Sequence, residues 1–79
     1  MFLMSYDGEM FVDANKVKSV YIFGSAEKQL FDVCAEIDDN RFGHDIIVAS
    51  YKKVEDARTH VRDLYDVLRE LRSSEAPKT

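Results

Sequence analysis

From Val54 onward the apolar residues change their spacing: Val54, Ala57, Val61, Leu64, Leu68 and Leu71 recur at intervals of 3, 4, 3, 4 and 3 on a charged background. Side chains so spaced share one side of an α-helix, which turns once in about 3.6 residues. The spacing predicts an amphipathic helix from Val54 to about Arg72, whose charge complements the helix dipole at that end. Arg62, Asp66 and Glu70 follow one another at four-residue steps, mixing attraction with repulsion, so the helix must draw its stability from packing.

Ahead of the helix the pattern is that of strands. Phe2-Leu3-Met4 and Met10-Phe11-Val12 flank Tyr6-Asp7-Gly8-Glu9, whose Asp-Gly pair adopts the positive φ angles of a tight hairpin turn. Asp13 to Lys16 forms a second turn, and Val17 to Phe23 is a β-branched and aromatic run ending at Gly24. Residues 25–37 carry two patterns. Ala26, Leu30, Val33 and Ile37 fall at helical spacing, whereas Phe31, Val33, Ala35 and Ile37 alternate with Asp32, Cys34 and Glu36. The alternation favours a strand, with a helix as the other reading, and Asp38 to Gly43 is rich in turn formers. Ile46 to Tyr51 reads as a last strand, antiparallel to its predecessor because no long crossover separates them. The expected fold is α+β: an antiparallel β-meander of four to five strands with one C-terminal amphipathic helix packed on it. A single domain spans residues 1–72, and 73–79 form a flexible polar tail.

A chain of 79 residues buries only about 60% of its unfolded surface, which leaves little room for an enclosed substrate cavity. Its 46% hydrophobic content is that of a folding chain. Eleven basic against fifteen acidic residues give a net charge of −4, which opposes non-specific nucleic-acid binding. Cys34 is the only cysteine, so no disulfide forms within the chain, and it reads as an inert packed thiol. With no basic leader ahead of a long apolar core and no run near the ~20 apolar residues of a membrane span, the chain is expected in the cytoplasm.

The chemical motifs fall short. Gly24-Ser25-Ala26-Glu27-Lys28 follows a strand but lacks the second glycine that wraps a phosphate loop around its ligand. Asp38, Asn40 and Gly43 match three positions of a calcium loop, but Phe42 and Ala49 stand where ligand oxygens are needed. His44 and His60 have no partner at zinc-ligand spacing, and no serine sits in a Gly-x-Ser-x-Gly elbow. No catalytic, cofactor-binding or metal-binding residue is therefore assigned.

The strands are apolar on both sides. Val20 and Ile22 oppose Val17, Tyr21 and Phe23, while Ile46 and Val48 oppose Ile47, Ala49 and Tyr51. One helix covers one face of a sheet, so the other face is either closed by curling of the sheet or left for another chain. Val17, Tyr21, Phe23, Ile46, Val48 and Tyr65 are the expected interface.

In the stretches Val12 to Ile22, Val33-Cys34-Ala35 and Ala49 to Ala57, within a span from Asn15 to Leu71, the chain resembles a loose set of small bacterial and phage proteins. In that set an early Asn precedes a strand, and a meander and closing helix follow. The set often places Thr or Ser before the helix as a cap, where this chain has Lys53. The resemblance implies a fold and a prokaryotic or viral origin, without an activity.

The expected function is a small non-catalytic protein-binding module, self-associating as a dimer, that presents an apolar-aromatic surface to a partner. A phage-encoded inhibitor of a host system is one form of it. The alternative is a small-molecule or nucleotide binder with its pocket between protomers.

Overall fold

A computed structural model describes residues 2–38 and 45–75, with side chains as far as Arg72. The expected turn beyond Asp38, the partial calcium loop, His44 and residues 76–79 lie outside the described residues. The elements run β1 (Phe2–Met4), β2 (Phe11–Asp13), a 3-10 turn (Ala14–Lys16), β3 (Val17–Ser25), β4 (Leu30–Ile37), β5 (Ile46–Tyr51) and α1 (Val54–Glu75). The helix thus continues three residues past Arg72, into the stretch read as a tail.

The five strands form two antiparallel sheets rather than one meander: β1 pairs with β2, and β3-β4-β5 form a separate three-stranded sheet. Local chemistry accounts for the break. The Asp13 carboxylate accepts from the Asn15 N–H at 3.0 Å and caps the 3-10 turn, redirecting the chain before β2 can pair with β3. The hairpin loop is also wider than a two-residue turn, since Met4 pairs with Phe11. Within it the Gly8 N–H donates to the Ser5 carbonyl at 2.9 Å, and Gly8 takes φ +75°, where a side chain would be strained. The loop then meets the outer edge of β5, where the Tyr6 N–H donates to the Ile47 carbonyl at 2.7 Å.

Between the two patterns in residues 25–37, the strand prevails from Leu30. Ser25 closes the preceding turn by accepting at its carbonyl from the Gln29 N–H at 2.8 Å and at its hydroxyl from the Lys28 N–H at 3.2 Å. β4 is the central strand, and Asp32, Val33, Cys34 and Ala35 are all buried. Its period of two places Ala35 and Ile37 in the core with Val17 and Ile46. Leu64 and Leu68 of α1 reach the same cluster, as do Leu3 and Val12 of the hairpin. Helix and hairpin therefore cover this face together.

Two polar ties hold α1 on the sheet. The Tyr51 hydroxyl and His60 Nδ1 share a hydrogen bond of 2.7 Å with their rings edge to face, and the Arg72 guanidinium donates to the Val17 carbonyl. Along the exposed side of the helix the one ion pair among the described residues is Arg69 with Asp66 at 3.9 Å, too exposed to add much.

Ile46 is among the largest fully buried side chains. Ile46→Ala is expected to cost about 2–5 kcal/mol in urea unfolding, whereas Val67→Ala, on the exposed helix surface, should change stability by less than about 0.5 kcal/mol.

Candidate functional site

The six residues expected at an interface do not form one surface. Val17 and Ile46 are buried in the core, and Val48 packs against it, so these three are occupied within the chain. The physical reason is register: Ile46 pairs with Ala35, whose side faces the helix. Strand periodicity separates the two faces of a sheet without saying which is covered. Tyr65 is exposed on α1, while Tyr21 and Phe23 lie on the sheet face turned away from the core.

On that far face the register sets Tyr21, Cys34 and Ile47 in one row and Phe23, Asp32 and Ser50 in the next. Tyr21 and Phe23 remain 38% and 57% exposed, with Cys34 and Asp32 buried between the outer strands. The polar groups are satisfied locally. Ser50 Oγ donates to Asp32 Oδ1 at 2.7 Å, and the Tyr21 hydroxyl donates to Asp45 Oδ2 at 2.5 Å. The Asp45 bond, reinforced by desolvation, pushes the Tyr21 hydroxyl well above its ordinary pKa, so the ring stays neutral and fixed across the face. Burial, then the Asp32 charge, pushes the Cys34 thiol up and away from the reactive thiolate.

A second apolar surface lies on residues that strand periodicity did not single out. Leu3 and Val12 point into the core, so their neighbours point out: Phe2, Met4 and Phe11 are 69%, 53% and 66% exposed. Met4 and Phe11 are direct cross-strand partners and Phe2 is two residues from Met4, so the three side chains share the outer face of the hairpin. The alternation Phe2-Leu3-Met4 was the available signal, but with apolar residues at every position it could not say which side was covered.

The hairpin is shaped by a polar loop. The Asp7 carboxylate accepts from Ser5 Oγ at 2.5 Å and from the Glu9 N–H at 3.1 Å, and Ser5 Oγ accepts from the Met10 N–H at 3.1 Å. Among the described residues no group of three or more His, Cys, Asp or Glu side chains could hold a metal ion, and no helix is long and apolar enough to cross a membrane. No family model matches the chain, and no match is found among curated proteins or solved structures.

Two outcomes follow from this geometry. Cys34 should resist a thiol reagent at neutral pH until the chain unfolds, and Tyr21→Ala should accelerate the labelling by opening the row beside it. The Ser5 hydrogen bond, then the Glu9 N–H, lowers the Asp7 pKa below its ordinary 3.8. The carboxylate therefore supports the loop at and above that pH and loses its contribution as pH falls through the lower folded value. Amide shifts of Glu9 and Met10, followed by NMR during acid titration, should move together in that range.

Proposed function

We propose that this chain is a non-catalytic protein-binding module that self-associates, and that the occupant of its hairpin face is a second copy of the same face. The observation that carries the reading is the exposed cluster of Phe2, Met4 and Phe11. At about 200 Å² per aromatic ring, the 69% and 66% exposures leave roughly 270 Å² of phenylalanine surface in water on the hairpin. Patches of a few hundred Å² on small proteins mark contact sites. A stable interface takes about 800 Å² per partner, with an apolar centre and a polar rim, and this cluster is suited to be the centre.

A closed dimer requires the same patch on both copies. The hairpin face suits that better than the far face of the sheet, where Asp32 and Ser50 share a row with Phe23. Tyr21 and Phe23 provide a further apolar-aromatic surface to which another protein can bind.

Sedimentation velocity at micromolar concentrations should give a dimer for the wild-type chain and for Phe23→Asp, and a folded monomer for Phe11→Asp. A wild-type chain that stays monomeric up to about 100 μM, where ΔG of association is weaker than about −5.5 kcal/mol, would remove the reading.

A further inference from the structure

The sheet has two outer edges, and they are treated differently. At β5 the hairpin loop donates the Tyr6 N–H to the Ile47 carbonyl. β3, nine residues long, pairs with β4 on one side and has no strand on its other side among the described residues. Between this edge and α1 runs a groove of about 310 Å³. Val20, Leu68 and Tyr65 give it an apolar lining, and Lys18, Arg69 and Arg72 supply its charge.

Among the described residues no carboxylate belongs to the groove lining, although the chain as a whole carries a net charge of −4. Among the described residues Lys18 and Arg72 make no ion pair, and Asp66 meets Arg69 only at 3.9 Å with both side chains more than half exposed. Such a pair is worth little and is easily exchanged for a better-placed carboxylate. Arg72 already donates to the Val17 carbonyl, so its planar guanidinium is held at the mouth of the groove with further N–H donors available. Arg69 stacks over the Tyr65 ring at 5.9 Å, which keeps a second guanidinium beside the apolar lining.

We propose that this groove binds an extended, acidic peptide segment of a partner protein. The segment adds to the free edge of β3 and places carboxylates among Lys18, Arg69 and Arg72. The edge beyond the β-bulge at Val17/Ser19 offers backbone donors and acceptors at the strand repeat, which an extended peptide matches. Alternate peptide side chains then fall toward Val20, Leu68 and Tyr65, while the intervening ones turn away, so an alternating acidic and apolar segment fits. The inference rests on the protein-binding reading but uses a different surface from the hairpin face.

The test uses the full chain and a fluorescein-labelled peptide of alternating glutamate and valine, about as long as β3. Fluorescence anisotropy should show it binding at least about tenfold more tightly than a lysine-valine peptide of the same length, and more weakly as salt rises. Lys18→Glu combined with Arg69→Gln should abolish that preference while leaving the circular dichroism spectrum and the sedimentation of the chain unchanged. NMR shifts on peptide addition should fall on Ser19 to Ser25 and on Tyr65 to Arg72. Equal binding of the two peptides, no effect of the double variant, or shifts confined to the hairpin would overturn the proposal. So would tighter binding of a thymidine oligonucleotide at the same residues, or concentration-dependent shifts in the groove without peptide, which would assign it to nucleic acid or to a second copy. Because the double variant keeps the hairpin intact, sedimentation still measures self-association independently if peptide binding fails.

Discussion

Four consecutive residues of β4, Asp32, Val33, Cys34 and Ala35, are buried, so this strand must be shielded from both sides at once. Among the described residues one long helix, α1, is available to do so. The helix and the inward side of the hairpin cover the side that carries Ala35, leaving Cys34 and Asp32 to be shielded by neighbours in the same sheet. Tyr21 lies across one side of Cys34 and Ile47 across the other, while Ser50 satisfies the Asp32 carboxylate. The far face is thus buried at its centre and apolar at its margins, with no second layer over it among the described residues.

Use of the hairpin as a cover has its own consequence. A β-ribbon has two faces, and when Leu3 and Val12 turn inward, Phe2, Met4 and Phe11 must turn outward. Had those three been polar, the hairpin would be an ordinary amphipathic lid. Their exposure does nothing for the stability of the isolated chain and lowers its solubility, and this is the physical basis of the proposed association.

Much of this was legible in the residues. The 3-4 spacing from Val54 located α1 because a helix with one covered side must repeat near 3.6, and Ala57, Leu64 and Leu68 are indeed buried. β3 and β5 were legible from their β-branched runs. Separation of β1-β2 from the meander was not, since it depends on a 3-10 turn capped by Asp13, and four polar or small residues read equally well as a hairpin connection. Placing Val17 and Ile46 at an interface failed for a related reason: the residues say that a strand is apolar on both sides, and only the tertiary arrangement says which side the helix takes. The groove was less legible still, because Lys18 and Arg69 come together only when α1 lies along β3.

The positions of the two surfaces relate them to each other. The hairpin loop joins the sheet at the β5 edge and the cationic groove lies at the β3 edge, with β4 between them. In the proposed dimer each copy brings its own groove. Two grooves on one particle make a second peptide contact intramolecular, provided that a partner presents two acidic segments able to span them, and avidity then exceeds the affinity of either site without any new contact. A monomer with one short groove has no such means of strengthening a weak strand addition. On the proposed reading, the apolar hairpin sets the number of sites and the cationic groove their chemistry.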